Sequence, residues 1–378
     1  MLKKIAVAVI VWRIFHWIAL YLGFLLFPLS VLPFKFEITA HHLETQLPLL
    51  TSLWANFDGV HYIGIARDGY FTYMQPFFPL YPLVIKLAVT LLNIPYIISG
   101  QFVSIGAFFL SLLIIKKILH IDGLKRLTNL LLLLMLIFPT SFYYASVYND
   151  SLFLLFASAT LLTARKKQWL RSSFLGSLAT LTRLNGLALF VYIVTEYLIS
   201  LSEQKLTVKR VIEDKIYAAT LIPLAFLGYL GYVNVYHGGW LAVFSSMKIW
   251  GQDKIIFPPQ IFWRYFKIIF LHPTFQLNYW IAILELSMVL LYIFLIIYSY
   301  RKIRLSYWIF FTVSLLIPTF TGTFAGMPRY GLHLFPLFLS LALFIENKNS
   351  LFKSAFVSFS ILMQFILVTL FLRGYFVA

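Results

Sequence analysis

The 378-residue chain is 61% hydrophobic and 19% aromatic, with only 11% charged residues and no cysteine. So little polar side chain cannot cover a protein in water, which excludes a soluble globular enzyme and places the chain in a membrane. The missing cysteine excludes a disulfide framework, a thiolate metal site and a thiol nucleophile, and the net charge of +17 is read first against membrane topology rather than nucleic acid.

A crossing takes roughly 20 apolar residues, which leaves room for about ten or eleven spans. The opening MLKK and the apolar run to Phe27 resemble a signal peptide. No small-residue cleavage site follows and the run is long enough to cross, so it reads as the first transmembrane helix, near 5–27, with its amino end in the cytoplasm. Further apolar runs place spans near 97–115, 127–146, 151–164, 172–182, 184–201, 216–236, 280–300, 307–322, 331–345 and 353–372. The expected fold is an all-α polytopic membrane protein of about 11 transmembrane helices forming a single domain over 1–378.

This arrangement puts 19 of the 30 Lys and Arg on the cytoplasmic side and ten outside, with Arg13 inside the first span. Counting 79–93 as another span would invert everything after it and send Lys116, Lys117 and Arg165 outside. That stretch is therefore expected to be an amphipathic helix on the outer leaflet, within a long first outer loop over 28–96. A second outer loop, 237–279, carries Trp240, Trp250 and Trp263, suited to the headgroup layer. The two loops are expected to roof an outward-facing cavity.

The segment WANFDGVHYIGIARDGYFTYMQPFFPLYP, residues 54–82, is the most informative. Asp58 opens a helical stretch that ends at Gly69, and helical spacing sets Asp58, His61, Tyr62 and Ile65 on one face. Asp58 reads either as a catalytic carboxylate or as the N-cap of that helix, with His61 a packing residue at the interface. Asp68 lies about a quarter turn away from Asp58 and reads as shaping the turn with Gly69. Asp150 in VYNDS interrupts an apolar region; it is either an N-cap or an acid put to use, because a carboxylate so near hydrocarbon is costly. Arg183 in TRLNG and Arg329 in MPRYGLH, with His333 one turn on, stand at helix ends. They read as snorkelling anchors or as forks for a phosphate. The adjacent His41 and His42 show no metal-ligand spacing. No Gly-rich phosphate loop or nucleotide fingerprint occurs and the cytoplasmic loops are short, so an outer active site points to a donor carried on lipid.

In order along the chain, FDGVHYIGIARDGY, FFPLYP, FPTSFYYASVYNDSLFLLF, LTRLNGLALF and MPRYGLHLFPLFL resemble the PIG-V mannosyltransferases and their bacterial relatives, over residues 54 to about 340. The resemblance implies a GT-C-type glycosyltransferase. In such an enzyme the site lies under the first outer loop and the donor is a polyprenyl-phosphate sugar, usually mannose. Asp58 matches the family's motif Asp and would be the general base in an inverting transfer. His61, Tyr62, Asp68 and Asp150 would position sugar or acceptor, and Arg183, Arg329 and His333 would hold the donor phosphate. Asp150 replaces the Glu of a VYTES-like pattern, and Asn56-Phe57 replaces an Arg-Trp pair, which bears on specificity more than on the reaction. The implied acceptor is a lipid or glycan of the cell envelope, on the outer face of the cell membrane. No cofactor is expected and the acid pattern does not argue for a metal, although a divalent cation stays open. The competing readings are a transporter or flippase of lipid-linked sugars, which should carry polar groups near the midplane on broken helices, and a non-catalytic subunit.

Overall fold

In a computed structural model of the protein, residues 2–28, 49–201, 206–252 and 254–377 are described. The part of the first loop over 29–48, with His41 and His42, lies outside the described residues. Among the described residues the chain is helical without strands. The longer helices are α1 (Leu2–Leu26), α2 (Asp58–Asp68), α3 (Leu80–Leu92), α4 (Tyr96–Ile121), α5 (Thr128–Ile137), α6 (Asp150–Arg165), α7 (Trp169–Thr182) and α8 (Ala188–Leu201). They continue with α9 (Leu221–Tyr236), α10 (Pro258–Phe266), α11 (Leu277–Ser299), α12 (Leu305–Leu316), α13 (Phe335–Glu346) and α14 (Ser350–Leu372).

Among the described residues six helices are long and apolar enough to cross a membrane, or up to seven if the bent pair Met327–His333 and Phe335–Glu346 counts as one span. Each of the eleven expected segments contains helix. Those near 127–146, 151–164, 172–182 and 307–322, however, hold helices of only 10, 16, 14 and 12 residues. Leu80–Leu92 is a 13-residue helix, or roughly 20 Å, short of a crossing. The outer faces are apolar: α1 buries Ile5, Val9, Trp12, His16 and Ala19 but exposes Val7, Ile10, Ile14, Ile18 and Leu25. A stripe of bare aliphatic side chains opposite a packed stripe suits a helix with protein on one side and lipid on the other.

In the bundle α6 lies between α4 and α7, α7 also meets α9, α8 packs on α12, α1 on α14, and α13 on α5 and α11. Between α5 and α6 the chain abandons the α-helix. Phe138 turns to an extended conformation before Pro139, a 3₁₀ turn spans Ser141–Ala145, and every residue from 138 to 149 is buried. Irregular backbone at such a place must find partners in the protein, and it does. Val147 N–H donates to the Trp54 carbonyl at 3.0 Å, and the Tyr148 hydroxyl donates to the Asn56 carbonyl at 2.8 Å. Thr140 donates to the Pro328 carbonyl at 2.7 Å and Asn149 to the Thr182 carbonyl at 2.6 Å. This buried segment therefore ties together the start of α2, the end of α7 and the Met327–Tyr330 turn.

Candidate active site

Those three tied ends carry the charged side chains. Helix α2 begins at Asp58 and stops where Gly69 takes φ +90°, a conformation other residues rarely adopt. The residue before Asp58 is Phe57, itself at φ +61°, held with its ring against Phe371 and Phe376. Its neighbour Asn56, fully buried, donates from its amide to the Phe371 carbonyl at 2.9 Å. A non-glycine residue in this region stores strain that the surroundings must offset, and here it directs the first turn of α2 into a cavity. The side chain of Asp58 makes no N-cap hydrogen bond. Instead its Oδ2 accepts from Arg329 Nη1 at 2.7 Å.

Asp150 is likewise not a cap. The N-cap position of α6 is Asn149, and Asp150 is wholly buried one residue inside the helix. Its Oδ1 accepts from Arg183 Nη1 at 2.8 Å and from His333 Nε2 at 3.0 Å, and lies 3.8 Å from Arg329 Nε. The carboxylate fixes the proton of His333 on Nε2. Arg183 also donates to Asn149 Oδ1 at 3.2 Å and lies over the Tyr330 ring at 4.8 Å, while Arg329 lies over Tyr148 at 5.0 Å. Two carboxylates and two guanidiniums thus form one chain, Asp58–Arg329–Asp150–Arg183, assembled from four distant stretches of sequence.

A cavity of about 1310 Å³ opens beside this chain. Asp58, His61, Tyr62, Asn149, Arg183 and Arg329 lie on its wall, as do Lys248, Trp250, Lys254, Arg264 and Tyr265 from the 237–279 loop and Glu285 beyond it. His61 stacks on Phe77 at 4.5 Å. Tyr62 meets Phe77 and Tyr81 edge-on, and burial, then the Asp58 charge, push its phenol well above the usual range. It therefore keeps its proton at neutral pH.

The structure sets three of the expected site residues off the cavity wall. Asp150 and His333 are fully buried there; Asp150 sits behind the arginines and accepts from Arg183, and His333 is bonded to Asp150. Asp68, the last residue of α2, pairs with Arg67 at 3.0 Å with a third of its side chain exposed, and it too lies off the wall. Helix α2 is long enough to carry its carboxyl end away from the cavity that its amino end faces. Sequence reasoning did not single out Asn149, Tyr148 or Tyr330; the buried polar run around Asp150 was the available signal. Among the described residues no group of three or more His, Asp or Glu is arranged to hold a metal ion.

A paired-charge site at the wall of a large cavity, within a bundle of apolar helices, belongs to a polytopic membrane protein that handles an anionic or polar ligand. The profile of the family described as Mannosyltransferase (PIG-V) matches residues 24–284, more than half of the chain. The chain belongs to this family, and it is a membrane glycosyltransferase that uses mannose. Neither a curated protein nor a solved structure matches it. The match stops short of Arg329 and His333, whose part in the site rests on geometry.

Proposed function

We propose that the protein transfers mannose from a polyprenyl-phosphate donor to a lipid or glycan acceptor of the cell envelope, with inversion, and that Asp58 is the base. The observation that supports this most is that Asp58 stands on the cavity wall while one of its oxygens is held by Arg329 at 2.7 Å. The acceptor oxygen attacks the anomeric carbon as the bond from that carbon to the phosphate oxygen breaks. The acceptor proton passes to Asp58 and the electron pair leaves with the lipid phosphate, so a single carboxylate within reach of the hydroxyl suffices.

Arg183 and Arg329 take up the charge that grows on the departing phosphate. Each guanidinium has five N–H donors; Nη1 of each is committed to a carboxylate, and Nη2 of each makes no hydrogen bond among the described residues. Asp150 and His333 keep the two forks at a fixed spacing, which is the preorganisation that makes such charge stabilisation effective. His61 and Tyr62 lie beside Asp58 and position sugar or acceptor. In this reading the site faces away from the cytoplasm, beneath the first outer loop, the amino terminus is cytoplasmic, and the arginines meet the phosphate charge without a resident metal.

The test is transfer of labelled mannose from synthetic polyprenyl-phosphate mannose in membranes containing wild type or Asp58→Asn at matched expression, with and without EDTA. Wild type is expected to transfer in both conditions, and Asp58→Asn to lose at least about a hundredfold. Equal transfer by the two proteins removes Asp58 from the mechanism, and loss on chelation removes the metal-independent scheme.

A further inference from the structure

Two glutamates lie on spanning helices, where an ionisable side chain is costly unless paired or used. Glu196 on α8 is fully paired: Oε1 accepts from Arg165 at 3.0 Å, and Oε2 accepts from Arg304 and from Ser306, each at 2.6 Å. Glu285 on α11 is different. It is buried and lines the same cavity as Asp58, and no Lys or Arg pairs with it among the described residues. Its Oε2 accepts from the hydroxyl of Tyr265.

That hydroxyl is itself fixed from behind. It accepts from the Phe324 N–H at 3.0 Å and lies 3.2 Å from Thr323 Oγ1. Burial, then the neighbouring Glu285 charge, push the Tyr265 phenol well above its usual range, so it remains a proton donor to the carboxylate. Glu285 Oε1 makes no hydrogen bond among the described residues, and Thr323 also lines the cavity. The result is an oriented acceptor beside a hydroxyl, facing a cavity whose cations, Arg264 among them, lie beyond ion-pair distance among the described residues.

Position narrows the ligand. Glu285, Val289 and Tyr292 are buried along one face of α11, and Tyr292 donates to the carbonyl of Pro328, the residue before Arg329, at 3.4 Å. Seven helical residues advance about 10 Å, so Glu285 stands roughly that far along the bundle from the turn that carries Arg329. That separation suits one or two hexose rings whose reacting end lies at Asp58 and the arginines.

We propose that Glu285, held by Tyr265 and flanked by Thr323, forms a subsite that accepts hydrogen bonds from adjacent hydroxyls of a sugar bound in the cavity. Glu285 and Thr323 touch the sugar, and Tyr265 is a positioning residue. The subsite rests on the transferase reading, and the same chemistry could come from the donor hexose or from a glycan acceptor.

The full-length protein in lipid nanodiscs is titrated with polyprenyl-phosphate mannose and with the same polyprenyl phosphate lacking the sugar, read by microscale thermophoresis. Affinity for the bare lipid reports the arginine site, and the ratio of the two affinities reports the subsite. A second arm follows mannose transfer against increasing concentrations of a membrane lipid extract. If the subsite holds the donor hexose, E285Q and Y265F lower the ratio about tenfold and leave bare-lipid affinity unchanged. If it holds the acceptor, the ratio stays and the half-saturating extract concentration rises about tenfold. T323V shifts the same quantity by less. Monodisperse E285Q and Y265F proteins that match wild type in both arms overturn the subsite, whereas a wild type that binds neither lipid removes the transferase reading and the subsite with it.

Discussion

Replacing Asp150 by Asn separates the scaffold of the site from its chemistry. Asp150 is fully buried; one oxygen accepts from Arg183 at 2.8 Å and His333 at 3.0 Å and faces the Arg329 charge at 3.8 Å. Removing one partner of a buried ion pair costs about 3–5 kcal/mol, because the remaining charge stays desolvated. Here Arg329 keeps Asp58 at 2.7 Å and Arg183 keeps Asn149 at 3.2 Å, so part of the compensation survives. The expected cost is about 2–4 kcal/mol, a fall of roughly 3–5 °C in the unfolding midpoint. Asp58 has a fifth of its side chain open to the cavity, so Asp58→Asn is expected to cost about 1 kcal/mol or less. Differential scanning fluorimetry on the purified proteins, beside the transfer assay, reads both. The expected pattern is a stable, inactive Asp58→Asn and an unstable, weakly active Asp150→Asn. An Asp150→Asn protein whose midpoint lies within about 1 °C of wild type refutes its assignment as the countercharge of the two arginines.

Further outcomes follow from other contacts. Arg183→Lys and Arg329→Lys keep the charge but lose the fork, and each is expected to raise the KM for polyprenyl-phosphate mannose about tenfold; an unchanged KM removes that arginine from the phosphate site. Gly186→Ala places a Cβ at 2.4 Å from the Thr180 backbone, three residues after Arg183, so little monodisperse protein should survive size-exclusion chromatography. Gly106→Ala on α4 meets nothing within 4 Å and should behave as wild type or better. Glu196→Gln strips the pairing from Arg165 and Arg304 and should lower stability by about 2–4 kcal/mol without moving any KM, as checked by fluorimetry and transfer on the same preparation.

Helix α2 was legible in the sequence because its signals are local: a polar start at Asp58, a periodic face and a terminating Gly69. The partners were not. Asp58 and Arg329 are 271 positions apart, and nothing in either motif states that they meet. Whether Asp58 and Asp150 cap their helices turns on backbone angles one residue earlier, and in both cases the structure shows the side chain spent on an arginine instead. The two buried glutamates look alike in a hydropathy reading. They separate only when Arg165 and Arg304 are found around Glu196 and a tyrosine hydroxyl beside Glu285.

Counting spans and locating the site run into difficulty at the same residues, for one physical reason. The stretches near 127–146 and 331–345 read as continuous apolar runs, yet the first leaves the α-helix after Ile137 and the second bends by 93° between His333 and Phe335. Irregular backbone is tolerated at such depth only where protein surrounds it and satisfies its polar groups. The groups that do so here, Thr140, Tyr148 and Asn149, are the ones that bring Asp58, Arg183 and Arg329 to a common wall. The breaks that make the helices too short for a simple span count are therefore what allows four remote charges to assemble inside an apolar bundle.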